Sequence, residues 1–338
     1  MRSIRLNIFV TGATGFIGRR LVQRLLAEGC RVRCLARHPE RAAAWLGGQV
    51  EIIPGSVHDG AALAAAMRGC GGLFHLANLY SMWERRPGDF YRVNVEGTQT
   101  VLASARQAGV GRVVYISTAV VYGRPAACPF TEDDPPGPRL FSAYARTKAA
   151  AERLAWDFHH RFGLPLVVLY PGIVLGAGDD KPSGHYIQDL VRRRLPSTIF
   201  HHSPATYVYV GDVVEALIQA MTRPQAVGQK YLLGAEVLTG REFTQLVSAV
   251  SAVPLPPLRL PDPLVLAAAG LFSAAAALTG RPPLWGLSLD AARTLWHGFC
   301  FDGSKAQREL GIVYTPIRAA LAEAIASYLK KGNTDQPG

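Results

Sequence analysis

Cysteine is scarce in this sequence, and its spacing carries no signature of a disulfide framework or a metal site. The five cysteines are odd in number and form neither a CxxC pair nor a zinc-ligand spacing; they are Cys30, Cys34, Cys70, Cys128 and Cys300. This pattern favours a reducing compartment. The adjacent pairs His159/His160 and His201/His202 are also unsuited to a metal, because neighbouring side chains on a helix or strand do not converge on one ion. We therefore expect no metal centre and a cytoplasmic protein.

An apolar run of about 20 residues, the length that spans a bilayer, is also missing. The N-terminal stretch MRSIRLNIFVTG has an apolar part that is too short for a signal peptide, so we expect no secretion signal. One apolar stretch, PLVLAAAGLFSAAAAL at 263–278, predicts a helix with two alternative environments. It packs within a second lobe, or it makes a peripheral contact with the inner membrane.

Positive charge is in excess, but it is spread along the chain. The net charge of +11 comes from 36 Lys and Arg against 25 Asp and Glu. Because the arginines form no blocks, we do not expect nucleic acid as a partner. A phosphate-bearing cofactor or an anionic lipid surface would suit this charge equally well.

Short β-branched runs alternate with helical patterns through the first half of the chain. The runs are LNIFV at 6, RVRCL at 31, VEII at 50, GLFHL at 72, RVVYIS at 112 and PLVVLY at 165. Such alternation is typical of a doubly wound α/β domain with a parallel sheet. We predict a Rossmann domain over 1–171 that includes a return segment, 206–234, a smaller and mostly helical C-terminal substrate lobe over the rest of 172–330, and a disordered tail at 331–338.

Three glycines lie between the first predicted strand and the first helix, in VTGATGFIGRRL. A tight turn requires Gly12, a pyrophosphate lying against the backbone requires Gly15, and close packing of helix on strand requires Gly18. The positive end of the helix then faces the phosphates. The position of the motif at the start of the sheet predicts a dinucleotide site.

The end of the second predicted strand bears on which dinucleotide is bound. An NAD site usually carries an acidic residue there, which hydrogen-bonds the ribose 2′-hydroxyl. This sequence has Ala36 followed by Arg37, and an arginine suits a 2′-phosphate. We therefore expect NADP(H) as the preferred cofactor, with NAD(H) as the alternative; Arg19 and Arg41 could add to the anion site.

The segment SAYARTKAAAERL, 142–154, places Tyr144 and Lys148 four residues apart on one helical face. A phenol with a pKa of about 10 is a poor acid or base at neutral pH, and a nearby cation stabilises its phenolate. In isolation the pair is compatible with a solvated helix surface. Beside a dinucleotide site it predicts a proton-transfer pair.

Taken together in order, these motifs resemble the extended short-chain dehydrogenase/reductase family. The resemblance extends from TGATGFIG through FHLAN, YRVNVEGTQTVL, RVVYISTAVVYG, SAYARTKAAAE, PGIVLGAGD and YVYVGDVVEA to FDGSKAQRELG. The chain is most similar to the branch with dihydroflavonol-reductase-like, 3β-hydroxysteroid-dehydrogenase-like and hopanoid-associated epimerase-like members. The expected fold is the Rossmann fold predicted above.

The resemblance assigns roles to individual residues. It implies that Tyr144 is the catalytic acid/base, Lys148 its partner, Thr118 the hydroxyl that binds the reacting oxygen, and Asn94 part of a proton relay. It also implies a set of cofactor contacts: Gly12, Thr14, Gly15, Phe16, Ile17, Gly18, Arg37, Ser56, Val57, Leu76, Ala77, Asn78, Tyr144, Lys148, Pro171, Gly172 and Ile173. A homodimer through helices at about 89–108 and 142–162 is expected as well.

Several positions depart from the family pattern. Ser56 replaces an aspartate that reaches the adenine, Tyr170 replaces an arginine, and Tyr209 and Gly211 stand where histidine and aspartate are frequent. Fewer polar groups favour a small hydrophobic substrate, such as a sterol, terpenoid or flavonoid, held by segments 80–91, 192–200 and 263–278.

The predicted function is therefore NADP(H)-dependent interconversion of an alcohol and a ketone. Two alternatives remain at the level of the sequence. One is a nucleotide-sugar epimerase or dehydratase that keeps its cofactor bound. The other is a non-catalytic NADP-binding regulator, which the intact Tyr144 and Lys148 disfavour.

Overall fold

A computed structural model describes residues 6–332 and contains one large and two small β-sheets. The strands are β1 Asn7–Thr11, β2 Arg31–Ala36, β3 Glu51–Pro54, β4 Gly72–His75, β5 Val113–Ile116, β6 Leu166–Pro171, β7 Ile173–Leu175, β8 Ser197–Thr198, β9 Pro204–Tyr209, β10 Lys230–Leu233, β11 Glu236–Thr239 and β12 Leu258–Arg259. The six strands that the sequence predicts before residue 172 correspond to β1–β6.

The large sheet has seven parallel strands in the order β10-β6-β5-β4-β1-β2-β3. Every residue of β4, β5 and β6 is buried, because helices cover both faces of the sheet. The strand order reverses direction between β1 and β4, which is where doubly wound sheets bind ligands. The predicted fold class is confirmed.

The helices are α1 Phe16–Ala27, α2 Pro39–Leu46, α3 Gly60–Met67, α4 Gly88–Tyr91, α5 Gly97–Gln107, α6 Ala143–Phe162, α7 Pro182–Val191, α8 Val210–Thr222, α9 Gly240–Ser251, α10 Asp262–Thr279, α11 Leu289–His297, α12 Ser304–Leu310 and α13 Ile317–Gly332. One core lies between the sheet and α3, α5 and α6. A second core lies between the opposite face and α1, α2 and α8.

The second lobe adds two small sheets to its helices. Strands β11, β9 and β7 form one of them, and β12 and β8 form the other. Within the predicted return segment 206–234, β10 joins the large sheet and α8 packs on α1, whereas β9 belongs to the three-stranded sheet. Of the predicted disordered tail, 331 and 332 end α13, and 333–338 lie outside the described residues.

Helix α10 contains the apolar stretch predicted at 263–278. It rests on the second lobe through Val265, Ala269 and Ala276, while Leu271 and Leu278 are 72% and 89% exposed. Within residues 6–332 it is the one helix with the length and composition to cross a membrane, and only 17% of it is buried. The helix is therefore neither a core helix nor an ordinary polar surface helix.

Candidate active site

The residues predicted to form the site follow successive strands of the large sheet. Gly12 follows β1, Arg37 follows β2, Ser56 follows β3 by two residues, and Thr118 follows β5 by two residues. Leu76, Ala77 and Asn78 follow β4, and Pro171, Gly172 and Ile173 connect β6 to β7. Because these strands are parallel, all of these positions lie along one edge of the sheet, the edge at which such folds bind ligands.

The turn after β1 fits a dinucleotide. Gly12 has φ of +73°, and a Cβ at this position would lie 2.6 Å from the Ala77 nitrogen. A Cβ on Gly18 would lie 2.2 Å from the Gly12 oxygen, so α1 begins directly against the turn. At Gly15 the nearest atom to an added Cβ is the Gly12 oxygen at 3.3 Å. The glycines thus permit the turn and the close packing that the sequence predicts for them.

Helix α1 begins in this turn, at Phe16, immediately after Thr14 and Gly15. Its N-cap residue is Gly15, which has no side chain to accept hydrogen bonds from the first-turn N–H groups. Such groups, together with the helix dipole, form a ready site for a phosphate. The turn and the start of α1, including Ile17, are therefore suited to hold a pyrophosphate.

Basic side chains lie near the carboxyl ends of β2 and β3. Arg37 is exposed at the end of β2. The side chains of Arg19 and Arg41 both lie over Trp45, with guanidinium carbons 5.1 and 4.4 Å from the ring centroid. After β3, the Ser56 N–H donates to Asp59 Oδ2 at 2.8 Å, and a Cβ on Gly97 would lie 2.6 Å from Val57.

A buried histidine holds the loop after β4. His75 Nδ1 lies 2.7 Å from Thr11 Oγ1, and its Nε2 lies 2.9 Å from Thr98 Oγ1. Thr11 Oγ1 in turn accepts from the Ala77 N–H at 3.2 Å. Burial, and secondarily the Lys148 charge, lowers the pKa of His75 to about 3. The ring is therefore neutral at pH 7 and fixes the Leu76–Asn78 loop against the glycine turn.

Tyr144 lies at the start of α6, which is capped by Ser142. Its side chain is 5% exposed, and its ring packs on Tyr80 with centroids 4.9 Å apart. Burial raises the pKa of Tyr144 above its usual range, Tyr80 adds to this, and a hydrogen bond with Thr118 opposes it. The structure therefore brings Tyr144 and Thr118 together.

Lys148 is one turn further along α6 and is fully enclosed. Its Nζ donates to Tyr115 Oη at 2.8 Å and to the Ile116 carbonyl at 2.7 Å. Burial lowers the pKa of Lys148 to about 7, and the charge of Glu152 partly opposes this. The lowering of the Tyr144 pKa by Lys148, expected from their spacing, is not found, because the ammonium is directed to the end of β5 and burial dominates at the phenol.

Glu152 follows Lys148 by another four residues, so the three side chains share one face of α6. Its carboxylate accepts from Tyr170 Oη at 2.6 Å and from Ser117 Oγ at 2.9 Å. Burial raises the pKa of Glu152, while these two hydrogen bonds and the charge of Lys148 act against that. Tyr170, which replaces the family's arginine, is thus a donor to Glu152.

We expect Glu152→Gln to shift the pH profile of turnover to lower pH. Removing the negative charge that favours protonated Lys148 lowers the pKa of that ammonium further, so turnover at neutral pH should fall about tenfold and recover in part at lower pH. The measurement is kcat/KM against pH. Glu152→Asp keeps the charge and should leave the position of the profile unchanged; a profile that Glu152→Gln does not move would show that Glu152 has no influence on Lys148.

Asn94 lies in a π-helical turn, Arg92–Glu96, between α4 and α5. Its Oδ1 accepts from the Leu79 N–H at 2.7 Å, and its Nδ2 donates to Thr147 Oγ1 at 3.2 Å. π-helical turns often occur at functional sites. Asn94 thereby joins the loop after β4 to α6, next to Tyr144, and all four predicted catalytic residues lie in one region.

Four further side chains of this region, those of His75, Tyr80, Tyr115 and Glu152, were not predicted as site residues. Glu152 repeats the four-residue spacing of Tyr144 and Lys148, so the same helical argument could have found it. His75 stands in a strand whose other residues are glycine and apolar, which is a weak sign of a buried polar contact. Tyr80 belongs to segment 80–91, which the sequence predicts to contact the substrate, whereas Tyr115 carried no sequence signal.

The remaining departures belong to a different part of the molecule. Tyr209 Oη donates to Glu323 Oε2 at 2.5 Å, and Arg20 Nη2 donates to Glu323 Oε1 at 2.6 Å. A Cβ on Gly211 would lie 2.3 Å from the Tyr209 ring. These residues join α1 to α13, and the glycine makes room for the tyrosine. Across residues 6–332, no three metal-ligating side chains converge.

Comparison with known proteins agrees with this architecture. The model of the NAD dependent epimerase/dehydratase family matches residues 8–234. Sterol demethylase protein B of Methylococcus capsulatus is 31% identical over 332 residues, which cover 97% of this chain and 99% of that protein. The 4-hydroxy-2-methyl-3-oxo-4-farnesyl-3,4-dihydroquinoline-1-oxide ketoreductase of Stigmatella aurantiaca is 32% identical over 313 residues, 90% of this chain and 91% of that protein. The UDP-glucose 4-epimerase of Thermus thermophilus, in complex with NAD, has a TM-score of 0.75 at 25% identity, covering 96% and 99% of the two chains.

The parallel sheet and the glycine-lined turn define the class, a dinucleotide-binding α/β enzyme. The chain belongs to the NAD dependent epimerase/dehydratase family and is an NAD(P)-dependent oxidoreductase of the extended short-chain dehydrogenase/reductase type. The resemblance identified from the sequence motifs is thereby confirmed.

Proposed function

We propose that this enzyme interconverts an alcohol and a ketone on a hydrophobic substrate, with NADP(H) as its cofactor. The observation that carries the proposal is the placement of Tyr144 and Thr118 at the ligand-binding edge of the sheet, beside the glycine turn. A phenol and a hydroxyl that lie close enough to influence each other's protonation can together hold one substrate oxygen. The proposal includes a cytoplasmic location, which the cysteine pattern favours, and a homodimer through the helices at about 89–108 and 142–162, which the resemblance implies.

The chain's own residues supply the proton and the alignment. The Tyr144 phenol is protonated at neutral pH, and in that form it can give its proton to a carbonyl oxygen during reduction. Thr118 would hold the same oxygen. Lys148 would act as the partner of Tyr144, and Asn94 would belong to the proton relay that returns the proton. A bound nicotinamide would supply the hydride to the carbon of that carbonyl.

Two observations support a hydrophobic substrate. Tyr80 packs its ring against Tyr144, so the side of the site next to the phenol is aromatic. Tyr170 is engaged by Glu152 and offers no positive charge to a diphosphate. The relatives named for a sterol and for a farnesylated ketone are consistent with this choice.

The test of the proposal is a turnover assay that follows the absorbance of the reduced nicotinamide. Purified enzyme should consume NADPH with sterol-like, terpenoid or flavonoid-like ketones. The second candidate, a nucleotide-sugar epimerase, is supported by the likeness to UDP-glucose 4-epimerase. It would convert a UDP-sugar without net consumption of the cofactor, so epimerised UDP-sugar with no NADPH oxidation would refute the reductase proposal.

The proposed preference for NADP(H) leads to a prediction for Arg37. Replacing Arg37 by aspartate should lower the ratio of kcat/KM for NADPH over NADH by about tenfold or more, because the charge-assisted bond to the 2′-phosphate is lost. Steady-state kinetics with both cofactors measure this ratio. Arg31→Asp makes the same charge change at the other end of β2 and should leave the ratio unaltered; an equal drop in both variants would contradict the assignment of Arg37.

A further inference from the structure

A cluster of large apolar side chains is exposed around α10, which we term the α10 surface. On the helix itself, Leu264, Leu271 and Leu278 are 59%, 72% and 89% exposed. Around it, the exposed side chains are Leu258, Leu260, Leu284 and Trp285. Large apolar side chains exposed together on one helix and the segments that flank it indicate an interaction site, whereas single exposed leucines need no explanation.

The orientation of α10 is fixed by its contacts with the rest of the protein. Leu264, Leu271 and Leu278 recur every seven residues and so lie along one face. Val265 and Ala269, on the opposite side, pack with Phe200 and Ala292. The Leu289 N–H donates to Ser273 Oγ at 2.8 Å, which ties the middle of α10 to α11. With one side held by the protein, the helix presents its other side lengthwise and does not cross a bilayer.

Arginines surround the α10 surface. Arg259 precedes the helix, Arg281 follows it, and Arg85 lies against Gly280, 3.3 Å from where a Cβ would stand. In contrast, Asp262 is the one acidic residue of the helix. The rim therefore has the charge that attracts an anionic surface.

Three more arginines line a cavity of about 700 Å³ between α10, α11 and the segment before α6. These are Arg139, Arg146 and Arg293, with Leu266 and Ala267 of α10 in the same wall. All three are exposed, and within residues 6–332 neither they nor the rim arginines form a salt bridge. The cavity thus places arginines that form no salt bridge directly beside the apolar helix α10.

We propose that the α10 surface docks onto an anionic phospholipid membrane, with the leucines and Trp285 among the acyl chains and the arginine-lined cavity at the phosphates. This arrangement matches the interfacial helices that combine an apolar face with basic residues. A second copy of the chain is a poorer occupant, because a two-fold contact through the same surface would place arginines opposite arginines. The proposal concerns location and does not depend on the substrate.

Flotation with lipid vesicles tests the proposal on the full-length enzyme. Wild type should bind vesicles of phosphatidylcholine mixed with phosphatidylglycerol, bind phosphatidylcholine vesicles far less, and be released by salt. The double variant Leu271→Glu/Leu278→Glu should bind the anionic vesicles about tenfold less. Val313→Glu makes the same kind of change at an exposed apolar residue outside the surface and should bind like wild type.

Further measurements keep the test decisive. The variant Arg139→Ala/Arg293→Ala leaves every leucine in place and should also weaken binding to anionic vesicles. Far-UV circular dichroism confirms that each variant is folded. If the wild-type enzyme does not bind anionic vesicles, the proposal is wrong. It is also wrong if the Leu271→Glu/Leu278→Glu variant binds like wild type, or changes only in the oligomeric state seen by light scattering.

Discussion

Replacing Tyr144 by phenylalanine should lower kcat about a thousandfold while leaving cofactor affinity close to that of wild type, because general acid–base groups typically contribute this much. Phenylalanine keeps the ring that packs on Tyr80 and removes only the hydroxyl. The affinity for NADPH, measured by fluorescence titration, separates this loss from a damaged cofactor site. Turnover and affinity together therefore identify the phenol as the proton donor.

A matched control for this variant is Tyr122→Phe. Tyr122 is also buried, and its hydroxyl donates to the Glu132 carbonyl at 3.3 Å, away from the proposed proton transfer. It should retain turnover within a few-fold of wild type. Full turnover by Tyr144→Phe would remove the chemical basis of the proposed function, since phenylalanine has no proton to give.

The raised pKa of Tyr144 also predicts which direction of the reaction is favoured at neutral pH. The phenol is protonated at neutral pH, which is the form that gives a proton to a carbonyl, and burial extends this form to higher pH. Oxidation of an alcohol needs the deprotonated form instead. The reductive direction should therefore be favoured near neutral pH, and the oxidative direction should gain as pH rises.

Replacing Gly12 by alanine should destabilise the protein by about 4 kcal/mol and abolish dinucleotide binding, since backbone strain and overpacking act together. The added Cβ would meet the Ala77 nitrogen at 2.6 Å and the Leu76 carbonyl carbon at 2.7 Å. Both are backbone atoms of the loop that His75 anchors, so neither can move aside easily. The free energy of unfolding from urea titration and the affinity for NADPH measure the two effects.

Gly163→Ala separates the two causes. Gly163 ends α6 with φ of +67° and has no atom within 4 Å of a Cβ, so the substitution adds strain without a collision. It should destabilise by about 1 kcal/mol, the usual penalty of a left-handed backbone for alanine. If Gly12→Ala lowered the free energy of unfolding no more than Gly163→Ala does, the close approach of the loop after β4 would not be important to the turn.

Much of this architecture could be predicted from the sequence, because its signals are local. The six β-branched runs became β1–β6, and the spacing of Gly12, Gly15 and Gly18 specified a turn that the structure contains. Such patterns depend on residues close together in the chain. Tyr144 and Lys148 could be recognised for the same reason.

The contacts that the sequence could not predict are long-range. Lys148 donates to Tyr115 and to the Ile116 carbonyl, which are more than thirty residues away, so its spacing from Tyr144 gave no hint of this partner. The two alternatives for 263–278 could not be separated either, because composition does not say which side of a helix another element covers. Only the packing of Val265 and Ala269 on Phe200 revealed the uncovered side of α10.

The late position of β10 in the chain has a consequence for biosynthesis. β10 forms the outer edge of the large sheet by pairing with β6, yet residues 172–229, which build part of the other lobe, are made between them. A nascent chain that has only reached Pro171 therefore exposes the edge of a wholly apolar strand, a template for association with other chains. Residues 172–233 must be added before β10 is complete and can cover this edge.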